Sequence, residues 1–250
     1  MAAKDADVAK LSTDAEAAVS HPNGSAHLSL LAVSNEEELV FAARGEHQPS
    51  YVFNLPPTTC VELPQARQRY RNEEQLAESI FHSGQLQAGA IAYLDEEHCL
   101  AYLEDLNARY GTKIAIGDPA TGEGDVGLLP DGNGMYRAVI FGHRRRRAVK
   151  MAAVMRAEAD GVELHPDYLP FACRVYTNIS FFEAKREQLT ENKREDVDGP
   201  EEAMEIAWYY EMGKKRAEFS TQEECAQRLG IKPYELQQAV RFSRLPQSKK

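Results

Sequence analysis

The chain has 250 residues, 43% of them hydrophobic, and a formal net charge of −10. That length and apolar content exclude a small disulfide- or metal-stapled scaffold, and the acidic balance argues against a nonspecific polyanion binder. No apolar run is long enough to span a bilayer and no charged-then-apolar leader opens the chain, so the expectation is a soluble, cytoplasmic protein with no membrane partner.

Residues 1–25 are rich in Ala, Asp and Ser without an apolar period and close in His21-Pro22-Asn23-Gly24-Ser25, which predicts a disordered tail. Short apolar runs at 27–33, 38–43 and 51–55 read as strands, or as strands and a helix, before Pro56-Pro57 stops the last. Helical spacing of Leu76, Ala77, Ile80 and Phe81, with Glu73 and Glu74 at the start, predicts a helix over 72–83 that Gly84 ends. Residues 90–94 read as a strand and 96–110 as a helix, followed by a glycine-rich loop from 117 to 134. Beyond it come a strand at 135–141, a helix over 148–156, a strand at 171–176 and helices over 180–192, 200–214, 221–229 and 233–243. The pattern divides the chain into an α/β portion to about residue 178 and an all-helical portion after it, an α+β protein. Cys60, Cys99, Cys173 and Cys225 are too scattered for a metal or disulfide framework and read as reduced, mostly buried residues.

Three motifs carry chemistry. In Gly142-His143-Arg144-Arg145-Arg146-Arg147, a glycine turn joins a strand to a helix start. Free backbone N–H groups, the positive end of the helix dipole and several guanidinium groups then converge on one point, which suits a polyphosphate. The plain alternative is a solvated basic helix face. The charge is concentrated here: residues 142–176 carry seven Lys and Arg against four Asp and Glu, whereas residues 71–141 carry four against twelve. Second, Glu191-Asn192 at the end of a helix pairs a carboxylate with a carboxamide, two oxygen donors for Mg²⁺ held on a nucleotide's phosphates. Third, Thr221 as a helix cap, Ala226, Gly230, Pro233, and inward Leu229, Leu236 and Ala239 have helix-turn-helix spacing. Its second helix would expose Lys232, Tyr234, Glu235, Gln237, Gln238 and Arg241, with Thr221 and Gln222 facing DNA at the start of the first helix; Gln and Arg read adenine and guanine edges. An ordinary helical hairpin is the alternative.

Taken together and in this order, the motifs resemble those of the ParB partition-protein family. The resemblance starts at Gln65-Ala66-Arg67-Gln68-Arg69-Tyr70 and continues through Leu76-Ala77-Glu78-Ser79-Ile80 and Gly84-Gln85-Leu86-Gln87. It resumes at Gly142-His143-Arg144-Arg145, Glu191-Asn192, Arg194-Glu195-Asp196-Val197-Asp198-Gly199-Pro200-Glu201-Glu202-Ala203, the helix-turn-helix and Arg241-Phe242-Ser243-Arg244-Leu245-Pro246. It covers roughly residues 60–246, with gaps. It implies a sulfiredoxin-like nucleotide-binding domain at 26–178, with an insertion at 96–134, and a helical DNA-binding domain at 179–250 with its helix-turn-helix at 221–243.

Such proteins take CTP with Mg²⁺, bind a centromere-like site on double-stranded DNA, and close as a dimeric clamp that CTP hydrolysis reopens, on nucleoid or plasmid DNA and with a ParA-type ATPase as partner. By position, Gly142, His143, Arg144, Arg145 and Arg146 would hold phosphates. Ser79, Gly84, Gln85, Leu86 and Gln87 would line the nucleotide pocket. Glu191 and Asn192 would serve metal and phosphate, and Gln65 and Glu191 would position the attacking water. The chain departs from the family at His143, where Glu is usual, and at Ala66, where Pro is usual; its Glu-Asn motif stands one residue nearer Arg194-Glu195-Asp196. Residues 1–25 hold no arginine to stimulate a ParA-type ATPase, and the sequence ends just after the helix-turn-helix, without the family's C-terminal dimerisation domain. That reads as a truncated or a short, divergent member. Two other readings stay open: a nuclease or other nucleotide-using enzyme on the same scaffold, and a helix-turn-helix transcriptional regulator that uses no nucleotide.

Overall fold

A computed structural model describes residues 32–33, 52–65, 72–119, 125–192 and 199–245. The expected tail at 1–25, the runs at 27–31 and 38–43, the residues from Ala66 to Tyr70 and those from Arg194 to Asp198 lie outside the described residues.

The described chain is mixed α+β, built on a five-stranded sheet in the order β1-β2-β5-β3-β4. β1 (Ala32–Val33) runs parallel to β2 (Val52–Leu55), which is antiparallel to β5 (Phe171–Thr177). β5 is parallel to β3 (Gly89–Leu94), and β3 is antiparallel to β4 (Tyr136–Phe141). Val61 continues the sheet past β4: its N–H donates to the carbonyl of Arg137 at 2.8 Å and its own carbonyl accepts from Val139 at 2.8 Å.

β3 and β4 are buried along their whole length, as strands covered on both faces must be. Alternation sorts their side chains into two cores. Ala90, Ala92 and Leu94 face a layer made by α2 (Glu96–Tyr110) and α4 (Phe181–Asn192). Ile91 and Tyr93 face the opposite layer, where Ala77 and Ile80 of α1 (Glu73–Ser83) meet Ala148, Val149 and Ala152 of α3 (His143–Asp160).

A third core holds α5 (Gly199–Lys215), α6 (Gln222–Leu229) and α7 (Pro233–Ser243) together. Phe182 and Leu189 of α4 belong to it, while Phe181 and Ala184 belong to the sheet's core. The expected division after residue 178 therefore falls just before a helix that two cores share. The turn between α6 and α7 follows from local chemistry. Thr221 and Glu224 form a reciprocal capping box at the start of α6, and Gly230 at φ 63° closes the other end. There Gly230 N–H donates to Gln227 and Ile231 N–H to Ala226, a Schellman ending that places Pro233 at the first position of α7. Among the described residues no helix is long and apolar enough to cross a membrane.

Candidate functional site

The arginine run begins α3 directly after β4, so its side chains radiate from the first turn of an 18-residue helix. Gly142 makes the turn at φ 87°, and a Cβ there would lie 2.8 Å from the Cα of Gly89. Positive φ and backbone contact both call for glycine, and they bring the start of β3 against the start of α3. The loop at 84–88 is thereby fixed beside the arginines.

Successive helical residues are about 100° apart, and the arginines divide accordingly. Arg145 turns toward the loop: its Nη1 donates to the carbonyl of Ala88 at 3.2 Å and its Nη2 to Oε1 of Glu191 at 2.7 Å. Two expected site residues from distant parts of the chain thus form one ion pair. Arg144 is half-buried and, among the described residues, makes no ion pair, and its buried Nε has no hydrogen-bond partner there. A buried N–H is normally partnered, so this donor on the turn has capacity left for an anion.

Arg146 corrects the expectation that the whole run faces a phosphate. It is 1% exposed, and its Nε donates to the carbonyl of Pro57 at 2.7 Å, its Nη1 to Glu62 at 3.0 Å and its Nη2 to Asp125. Arg147 donates to both oxygens of Glu62, and Lys150 to Asp125 at 3.1 Å. Internal carboxylates, neither solvent nor ligand, neutralise this half of the run. A sequence signal existed: Arg145 and Arg146 precede Val149 by four and three residues and extend the buried stripe of Ala148, Val149, Ala152 and Ala153.

His143 is the second correction. Its side chain is 4% exposed and turns inward, to a cavity of about 20 Å³ that it lines with Gln65, Lys185 and Gln188. That volume holds about one water. Burial, and next the charges of Arg146, Lys185 and Arg147, depress its pKa to about 3, so the imidazole is neutral and gives a phosphate no charge. Gln65 reaches the same place: its Oε1 accepts from Gln188 Nε2 at 2.8 Å, and that Nε2 also donates to the carbonyl of Ile140 at 3.0 Å. Gln188 and Lys185 share a face of α4 with Glu191 at three-residue steps, the pattern that would have drawn attention to them.

Gln85 is the third correction. Its Nε2 donates to the carbonyls of Ala172 and Gln87, each at 2.7 Å, and its Oε1 accepts from Ala172 N–H at 3.0 Å. The amide acts as a clamp on the start of β5, with both of its N–H donors and one of its oxygen's two acceptor positions engaged. Gly84, Leu86 and Gln87 are exposed beside it, Leu86 at 73%, and Ser79 is exposed on α1. Asn192 ends α4 next to Glu191. Two adjacent oxygen donors suit a Mg²⁺ ion carried chiefly by phosphates and fall short of a protein-built cage; among the described residues no group of three His, Cys, Asp or Glu could hold a metal.

On the helical side, Lys232, Tyr234, Gln237, Gln238 and Arg241 are exposed on or just before α7, while Leu236, Ala239 and Val240 are buried beneath. Lys232 Nζ lies over the Tyr234 ring at 5.8 Å from its centroid. Thr221 is spent on its cap, and Gln222 is half-buried at the first position of α6.

No protein-family model matches the chain, and no curated protein is detectably similar to it. Solved structures are similar at low identity. One is the C-terminally truncated chromosome-partitioning protein ParB from Caulobacter crescentus complexed to the centromeric parS site: 16% identity over 78% of this chain and 74% of that one, TM-score 0.39. Another is the C-terminally truncated ParB of the same organism complexed with CTP-gamma-S: 18% identity over 79% of this chain and 81% of that one, TM-score 0.30.

Proposed function

We propose that the chain is a ParB-like, CTP-dependent DNA-binding clamp that takes a nucleoside triphosphate at the first turn of α3 and double-stranded DNA on the exposed face of α7. The observation that carries the nucleotide half is the orphaned, buried Nε of Arg144 on the first turn of a long helix, beside Arg145 and the exposed loop of Gly84, Leu86 and Gln87. Helix-terminal N–H groups and a guanidinium fork are the usual receptors for phosphate, and an exposed Leu86 offers an apolar surface to a base. A bound Mg²⁺ would supply positive charge to the phosphates, with Glu191 and Asn192 as its protein oxygens. Glu191 then stands between two cations, since its carboxylate holds Arg145 when no nucleotide competes.

Gln65 and Glu191 are the groups we assign to holding the attacking water if CTP is hydrolysed. The DNA half rests on the two helices joined at Gly230 and on the Gln and Arg side chains α7 exposes. The reading includes self-association as a dimer on a centromere-like site, a ParA-type ATPase as partner and a cytoplasmic place on nucleoid or plasmid DNA.

The test is calorimetric titration with CTP, ATP, GTP and UTP in Mg²⁺, on the natural chain and on Arg144→Ala and Arg145→Ala. Selective CTP binding that both substitutions weaken supports the reading. If no nucleotide binds, the arginine turn is structural and a DNA-binding regulator remains; metal-dependent DNA cleavage without nucleotide would instead mark a nuclease.

A further inference from the structure

The insertion before the arginine turn carries α2, and the residues on its inner face do more than fill the sheet's core. Arg109 donates through Nη2 to Oε1 of Glu205 at 2.6 Å, and the Tyr110 hydroxyl donates to Oε2 at 3.4 Å. Glu205 belongs to α5, so these bonds tie the insertion to the helical unit. Lys185 of α4 completes the cluster: its Nζ lies 3.1 Å from Glu205 Oε2 and donates to Gln188 Oε1 at 2.7 Å and to the Tyr110 hydroxyl.

Two further ties flank the cluster. Both oxygens of Asp105 on α2 accept from Arg216, just beyond α5, at 2.6 Å, and Arg216 stacks over Phe182 at 5.5 Å. Phe181 is held edge-on between Tyr102 of α2 at 5.2 Å and Trp208 of α5 at 5.7 Å, and the Arg109 guanidinium covers Trp208 at 5.2 Å. Lys185 and Glu205 are both buried. Burial lowers the Lys185 pKa. Burial alone would raise that of Glu205, but Lys185 and Arg109 outweigh it and hold the carboxyl below its usual range. Breaking one member of such a cluster leaves buried charge without its counterion, so the arrangement is held or lost as a unit.

We propose that the insertion helix α2 is a strap that fixes the helical unit against the sheet, with the buried Arg109–Glu205–Lys185 cluster as its latch. Opening the latch lets α5 to α7 shift on α4, at the expense of their packing on Phe182 and Leu189, while the sheet's two cores stay folded. The cluster also continues inward, since Gln188 joins Lys185 to Gln65 and to the carbonyl of Ile140, two residues before Gly142. The strap is thereby in contact with the backbone that leads into the arginine turn, and its setting is available to whatever binds there. The strap itself rests on contacts in the ligand-free chain and stands apart from the choice of nucleotide or DNA site.

The test is a distance measurement. All four native cysteines are buried, so Ser83→Cys and Lys215→Cys, at exposed ends of α1 and α5, can be spin-labelled selectively on the full chain. Pulsed dipolar spectroscopy without ligand should give one narrow distance distribution. Glu205→Gln should broaden or split it at least twofold in width, with far-UV circular dichroism and amide protection of β3, β4, α6 and α7 unchanged. If Glu205→Gln fails to fold, the pair Asp105→Asn with Arg109→Gln, at sites that reach solvent, gives the same readout. A distribution that is already broad in the natural chain overturns the proposal. So does one that stays narrow in folded latch variants. Failure of nucleotide binding in the calorimetric experiment would leave this result untouched.

Discussion

Replacing Arg146 by alanine and replacing Arg144 by alanine, two residues apart on the same turn, should have opposite signatures. Arg146 is buried, with three sets of donors satisfied by Pro57, Glu62 and Asp125. Its removal leaves Glu62 to Arg147 and Asp125 to Lys150, and empties the space its stem fills. Breaking a buried ion pair from one side costs about 3–5 kcal/mol. At roughly 2–4 °C per kcal/mol for a chain of this size, that lowers Tm by roughly 6–20 °C. Arg144 has no ion pair to lose among the described residues, so Arg144→Ala should stay within about 0.5 kcal/mol of the natural stability. Its effect belongs to binding: a charge-assisted contact to phosphate is worth about 1.5–3 kcal/mol, a loss of roughly 10- to 100-fold in nucleotide affinity. Thermal melts and calorimetry on the two variants decide the matter. If Arg146→Ala melts like the natural chain, or Arg144→Ala melts far below it while binding nucleotide normally, the division of the arginine run into internal and ligand-facing halves is wrong.

Other outcomes follow from the same geometry. His143 has a folded pKa of about 3 against an ordinary value of 6.5, so its contribution to stability is complete above pH 6.5 and drains away as pH falls toward 3. By pH 5 this should amount to about 2 kcal/mol, and His143→Gln should flatten that limb of the urea-denaturation profile. Gly142→Ala must adopt a left-handed conformation and push on Gly89, a loss of at least about 1–2 kcal/mol, visible in the denaturation midpoint. On the DNA side, Gln238→Ala should cost about 1–3 kcal/mol and relax base preference at one position in fluorescence-anisotropy titrations, with nucleotide affinity unchanged. Lys232→Ala should weaken all sequences alike and reduce the salt slope by about one; a sequence-dependent loss would refute a phosphate role.

The sequence carried the elements better than their arrangement. The apolar runs of β3 and β4, and the caps and glycine around α6, are local signals with local causes, and each element formed where its pattern predicts it. Strand order was not legible, because β5 separates β2 from β3 through pairings far apart along the chain. The arginine turn was legible as a glycine-made helix start. Its division was not, because Glu62 lies beside a single bridge and Asp125 in a glycine-rich loop, stretches without period to show which way a carboxylate points. Gln85 was placed at the nucleotide pocket by resemblance alone, and only the fold, which brings Ala172 within reach of its amide, shows its structural bonds.

The double membership of α4 bears on how the chain is made. Synthesis delivers β4, α3 and β5 before α4, so a nascent chain ending at residue 178 has every strand of the sheet while Tyr102, Leu103 and Leu106 still lack Phe181 and Ala184 above them. That face is greasy and open until about fourteen more residues have cleared the ribosome, an interval in which a chaperone or a neighbouring chain competes for it. A recombinant fragment of the sheet should accordingly be cut after Asn192. One cut at residue 178 would carry the same exposed face permanently into solution, and aggregation is its expected fate.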